Sequence, residues 1–148
     1  MTQVVMSIIF RKVNEKYEFL MLKRTPKRGD FWQPIGGKVE DSDNNFLEAA
    51  LRETEEESGI TKENILRKID NFYQFSYDKH YLTGEKIPVI YEYIYAFEIN
   101  ADVSVNIENN PSKEHDEFGW FTYKEVLKKL KWKNNKDVFK KLKEILGI

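Results

Sequence analysis

Apolar residues run from Val4 to Phe10 with only Ser7 interrupting them, and charge appears at Arg11 and Lys12 before Val13. This run predicts a strand over Val4–Val13. Asn14, Glu15 and Lys16 make a turn, and Tyr17–Lys23 reads as a second strand, so the chain opens on a hairpin. Arg24–Asp30 contains Pro26 and Gly29 and reads as a loop. Phe31–Ile35 follows as a short extended piece, with Gln33 biased to extended geometry by Pro34. The period then changes. Phe46, Leu47, Ala50 and Leu51 form a partial apolar face on a helix that Asp43 or Asn44 can cap and that runs to about Ser58. Gly59 suits the left-handed position beyond its end. Ile65–Tyr77 alternates roughly, Asp78–Lys86 is a polar loop around Gly84, and Val89–Ile99 is the strongest strand signal in the chain. Ala101–Glu117 is polar and reads mainly as loop, followed by a short strand, Phe118–Phe121. Thr122 and Glu125 form a capping-box pattern opening a helix to about Leu130. Asn134 or Asn135 can cap a last helix to Leu146. Strands, helix, strands, helices in this order predict one α+β domain over residues 1–148, an α/β/α sandwich with a mixed sheet between helices.

Composition narrows the classes. Hydrophobic residues make up 41% of the 148 residues and aromatic ones 14%, which supports a folded globular core. Twenty-four basic residues against 25 acidic ones give a net charge of −1, so nothing global points to nucleic acid or a membrane surface. The chain has no cysteine, which excludes disulfides, thiol nucleophiles and thiolate metal sites. The N-terminus lacks a secretory pattern, and the first apolar run is too short to span a bilayer, so a cytoplasmic protein is the expectation.

The stretch Gly36–Ile60 carries the chemistry. Four of the helix's last six residues, Glu53, Glu55, Glu56 and Glu57, are glutamates at the end where the peptide dipoles favour cations. Glu53 and Glu57 are like charges four apart, which costs roughly 0.2–0.5 kcal/mol. Glu53, Glu56 and Glu57 share one helix edge by their i, i+3, i+4 spacing. Three converging carboxylates repel unless a cation joins them, and oxygen ligands of this kind suit Mg²⁺ or Mn²⁺. Arg52 can pair with Glu48, Glu55 or Glu56 and hold a carboxylate in a set orientation. Gly36 and Gly37 allow either a tight turn or the close approach of backbone to a ligand.

This stretch resembles the signature of the Nudix hydrolases, in which a glycine-led loop, a helix and a terminal glycine surround an Arg-Glu, any two residues, Glu-Glu, any residue, Gly core. Here the core is Arg52-Glu53-Thr54-Glu55-Glu56-Glu57-Ser58-Gly59, followed by Ile60. There are two departures. The leading glycine, Gly37, sits one residue early, so Asp41–Asn45 carries one extra residue and the family's early glutamate falls at or near Asp43. Thr54 stands where the family usually has an aliphatic residue. The resemblance implies a Nudix-like fold and Mg²⁺-dependent hydrolysis of a nucleoside diphosphate linked to another group. It implies Glu53, Glu56 and Glu57 as metal ligands, with the Gly37 carbonyl as a further one, and Arg52 beside them. The motif does not fix the general base. Glu114 or Glu117, from the loop that also holds His115, is a candidate.

Outside the signature, Asp30–Glu40 and the stretch from Glu114 onward resemble the Nudix branch that cleaves dATP and dihydroneopterin triphosphate. The branch acting on diadenosine polyphosphates shares several of those features. A purine or pterin requires a flat apolar surface, for which Phe31, Trp32, Tyr73, Tyr77, Tyr81 and Trp132 are candidates. Arg24, Lys27 and Arg28 stand in the loop before the signature, where phosphates could meet them, and Gln33 and Lys38 flank the glycine pair. From Lys124 onward nine lysines face three acids, mostly between apolar positions at helical spacing, as on a solvated outer face. The expectation is therefore a small-molecule nucleotide hydrolase, possible as a homodimer, with nucleic acid an unlikely partner and no membrane. A triphosphate is the leading substrate. Diadenosine polyphosphates or RNA 5′ ends are the alternative, and a non-catalytic nucleotide sensor is the alternative of another class.

Overall fold

The computed structural model describes residues 2–148. A mixed sheet lies between helices. Its strands are β1 (Thr2–Val13), β2 (Lys16–Arg24), β3 (Trp32–Gln33), β4 (Ile35–Lys38), β5 (Ile65–Lys79), β6 (Lys86–Ile99) and β7 (His115–Phe121). The helices are α1 (Phe46–Ser58), α2 (Tyr123–Lys129) and α3 (Lys133–Leu146). The main path through the sheet is β3-β2-β1-β6-β5, with β4 also paired to β1 and β7 to β2. β1 and β6 run parallel, and the other pairs are antiparallel.

β1 is apolar on both faces because it is covered on both faces. Met6, Ile8 and Phe10 join Val126, Leu130, Val138, Phe139 and Leu142 under α2 and α3. Val5 and Ile9 join Ala49, Ala50, Tyr95 and Phe97 under α1. Ser7, the break in the run, is buried and donates to the Ala50 carbonyl at 3.1 Å, so the interruption ties β1 to α1. Many lysines of the C-terminal helices lie at the surface, and the ammonium groups of Lys129 and Lys143 stand over the rings of Trp32, Phe121 and Tyr123.

Several boundaries differ from the expectation by a few residues, and three of them bear on the site. The cap of α1 is Asn45, whose side chain accepts from the Glu48 N–H at 2.8 Å, rather than Asp43 or Asn44. The Asp43 carboxylate is occupied by Arg52 and by the Glu40 N–H. β7 begins at His115 rather than Phe118, because pairing with β2 continues as far as Arg24 past an irregularity at Lys23/Arg24. α3 is entered from Trp132, not from Asn134 or Asn135. Trp132 packs edge-on against Phe31 and Tyr81 at ring distances of 4.7 and 5.8 Å, which fixes the chain before the asparagines are reached.

Candidate active site

The glycine pair is strand, not turn. Gly36 and Gly37 pair with Met6 and Val5 in β4. A Cβ on Gly37 would land on the Glu53 carboxylate, so the glycine is what lets α1 lie against the strand with that side chain between them. What approaches the backbone here is the chain's own Glu53 side chain, and the tight-turn alternative is not realised. On its buried face α1 satisfies its own hydroxyls within the helix. Thr54 donates to the Ala50 carbonyl at 2.7 Å and Ser58 to the Thr54 carbonyl at 2.6 Å, both buried. Thr54 therefore replaces an aliphatic residue without leaving an unpaired group.

Arg52 organises the acidic edge. Its Nε and Nη2 donate to the two oxygens of Asp43, each at 2.9 Å, and Nη2 also donates to the Lys38 carbonyl at 3.0 Å. Nη1 reaches Glu53 and Glu40 at 3.0 Å and Glu56 at 3.3 Å. The Arg52 hydrogen bond holds the Asp43 carboxyl below its usual range, and Asp43 and Glu53 keep the guanidinium charged. Of the partners expected for Arg52, Glu56 is present. Asp43, from the loop with the extra residue, Glu40 just before it and the adjacent Glu53 take the places expected for Glu48 and Glu55. An acid at the position of the family's early glutamate was the available signal.

Glu57 points into the protein. Its side chain is 3% exposed, and neither carboxylate oxygen has a hydrogen-bond partner. Burial, then the neighbouring Glu53 carboxylate, push the Glu57 carboxyl up to about 10. Burial also raises Glu53, against the pull of Arg52. His115 Nδ1 lies 3.5 Å from Glu57 Oε1, and His115 Nε2 lies 2.9 Å from Gln33 Nε2. With the Gln33 amide donating, the ring carries its proton on Nδ1, facing Glu57. Burial, then Arg24 and Arg28, lower His115 to about 4, so the ring is neutral at physiological pH. Glu57, Glu114 and His115 each offer a ligand atom within 4.8 Å of one another. The start of β7 thus delivers Glu114 and His115 to the end of α1.

A cavity of about 620 Å³ opens beside this edge. Gly37, Glu53 and Glu114 line it, together with Arg24, Gln33, Lys38 and Tyr77 of the residues expected to meet substrate. Phe31, Phe75, Tyr81 and Trp132 supply its aromatic surface. Trp32, Lys27 and Arg28 are not among its lining residues. Trp32 packs edge-on against Phe121 at 5.2 Å, Lys27 is exposed, and Arg28 pairs with Glu114 at 3.8 Å. Tyr73 packs against the core under α3. Glu117 is exposed and lies 3.8 Å from Lys23. The sequence reading passed over Glu92, which lines the cavity from β6. Val89–Ile99 holds two carboxylates, Glu92 and Glu98, and Glu92 is the one in the middle of the apolar run, which was the signal.

No described helix is long and apolar enough to cross a membrane. The NUDIX domain family model matches residues 1–142. The fold is similar to that of Caenorhabditis elegans Ap4A hydrolase in a binary complex. The TM-score is 0.80 at 22% identity, over 99% of this chain and 98% of that one. It is also similar to Escherichia coli dihydroneopterin triphosphate pyrophosphohydrolase, with a TM-score of 0.72 at 20% identity over 93% and 91%. Among curated sequences, the asymmetrical bis(5′-nucleosyl)-tetraphosphatase of C. elegans is 41% identical over 59 residues, 39% of this chain and 41% of that protein. The chain spans less than half the length of the curated relatives it matches.

Proposed function

The chain belongs to the Nudix family, and on that premise we propose that it is a divalent-metal-dependent pyrophosphohydrolase acting on a nucleoside or pterin triphosphate, releasing a monophosphate and pyrophosphate. The observation that carries this reading is the Glu57 carboxylate, buried at the end of a helix edge that also bears Glu53 and Glu56, with His115 Nδ1 no nearer than 3.5 Å and neither oxygen in a well-formed hydrogen bond. Native proteins rarely leave such a group without a partner. A cation among these oxygens supplies one, and the hard oxygen donors fit Mg²⁺ or Mn²⁺.

Glu53, Glu56 and Glu57, with the Gly37 carbonyl, are the residues that would hold the ion. When bound, it neutralises the diphosphate and makes a nearby water more acidic. Arg52 keeps Glu53 and Glu56 oriented while Asp43 keeps Arg52 in place. Arg24 and Lys38 on the cavity wall meet phosphate oxygens. Glu114, at the junction of cavity and acidic edge, is the proton acceptor for the attacking water. His115, held by Gln33, stays neutral and turns its Nδ1–H toward Glu57.

A panel of nucleotides with Mg²⁺, its products resolved by chromatography, tests this. Pyrophosphate and a monophosphate from a triphosphate are expected. ATP plus AMP from diadenosine tetraphosphate, with triphosphates untouched, would move the assignment to the dinucleotide-cleaving branch. Binding without turnover of any compound would leave a sensor. Glu114→Gln should slow turnover about 100-fold, and an unchanged rate would remove it as the base.

A further inference from the structure

The strand registers lay out the floor of the cavity. Lys38, Val4, Glu92 and Phe75 stand side by side across β4, β1, β6 and β5. Two strand spacings, about 10 Å, separate the Lys38 position from Glu92. The phosphate-facing cation and the β6 carboxylate thus stand apart on one surface. Phe75 and Tyr77 flank Glu92 with aromatic rings 6.1 Å apart.

Glu92 is only half satisfied. Tyr77 donates its hydroxyl to Oε1 at 3.2 Å, whereas Oε2 is shielded from solvent and has no partner. A structural carboxylate would have both oxygens paired or would reach water. This one offers a free acceptor inside a cavity with aromatic surfaces, where a flat heterocycle bearing a donor would complete it. Burial, opposed by the Tyr77 hydrogen bond, pushes the carboxyl up to about 7, and a donor from the ligand would favour the ionised form.

We infer that Glu92, held by Tyr77, is a specificity-determining residue that accepts a hydrogen bond from an amino group on the substrate's heterocycle. The inference rests on the reading of the cavity as a nucleotide site, but it does not require turnover. Adenine-, guanine- and pterin-type rings carry such an amino group, and hypoxanthine and unsubstituted purine do not.

The test is equilibrium binding of nucleoside monophosphates, followed by the fluorescence of the cavity residue Trp132. The pairs compared are AMP with purine riboside monophosphate, and GMP with IMP. The wild-type protein should favour the amino-bearing member of at least one pair by roughly 10–100-fold, the range of one charge-assisted hydrogen bond. Glu92→Gln, which removes the charge and leaves a neutral amide able to donate as well as accept, should bring the ratio to within about threefold. Tyr77→Phe, a milder change, should reduce it part of the way. Equal affinities in the wild type, or a ratio unchanged in Glu92→Gln with the fold intact by circular dichroism, would overturn the inference. Discrimination in binding combined with no hydrolysis of any triphosphate would uphold Glu92 and sink the proposed reaction. No binding of any monophosphate would count against both.

Discussion

Replacing Glu57 by glutamine should stabilise the metal-free protein and at the same time remove its response to Mg²⁺. The wild-type carboxyl has an ordinary value of 4.5 when the chain is unfolded and about 10 when it is buried beside Glu53. At pH 7 the native state holds a proton there that the unfolded state has lost. At 1.36 kcal/mol per pH unit between 4.5 and 7, that costs the native state about 3 kcal/mol. The figure is the same for any folded value well above 7. Glutamine keeps the shape and removes the ionisation, but its amide inherits the same unpartnered surroundings. A net gain of about 1–3 kcal/mol is therefore expected, or roughly 2–10 °C in the thermal midpoint for a chain of this size. With Mg²⁺ at saturating concentration the wild type should gain stability by mass action, whereas Glu57→Gln should gain little. Differential scanning fluorimetry with EDTA and with Mg²⁺ measures both arms. A variant that melts lower than wild type in EDTA, or that keeps the full Mg²⁺ response, would refute the reasoning.

Other perturbations probe neighbouring parts. Gly37→Ala places a Cβ on the Glu53 carboxylate, so α1 or Glu53 must move; turnover should fall at least about 10-fold with little change in secondary structure by circular dichroism. Asp43→Ala removes the 4%-exposed partner of Arg52, which keeps Glu40, Glu53 and Glu56, so chemical denaturation should show a loss of about 1–3 kcal/mol, the scale of charge-assisted hydrogen bonds. For Glu92, the folded value of about 7 lies above the unfolded 4.5, so the native state binds more protons in between. Its contribution to stability is full below 4.5 and is lost as pH rises to 7, by about 3 kcal/mol. Part of this is already lost by pH 5, so the difference in denaturation free energy between wild type and Glu92→Gln should change by about 2.5 kcal/mol between pH 5 and pH 8, the wild type losing ground at pH 8.

What could be read in advance was local. The three-carboxylate edge follows from helical spacing alone, and the strand at Val4–Val13 from an apolar run. Gly37 was marked by its place before the helix, although only the register of β4 against β1 shows that Glu53 fills the space its side chain would take. Partners distant in sequence were not legible. The Asp43–Arg52 pair depends on how the loop with the extra residue folds back. The contact of His115 with Glu57 depends on β7 pairing with β2 up to Arg24, beyond a break in register that no periodicity signals. Trp32 was a candidate by its aromatic type, and its neighbours in the fold, Phe121 and Lys129, lie outside the lining of the cavity. Glu92 lay inside the most confident strand, where only its neighbours across the sheet reveal that one oxygen is left free.

The central claim is that the carboxylate edge of α1 binds a divalent ion and that this ion is needed for hydrolysis. Pyrophosphate release from a nucleoside triphosphate, measured for wild type and Glu56→Gln across a Mg²⁺ titration, tests it most directly. The account predicts no release by either protein in EDTA, saturable Mg²⁺-dependent release by wild type, and release at least about 100-fold slower in Glu56→Gln. Turnover without a divalent ion, or a Glu56→Gln enzyme as fast as wild type, would contradict it.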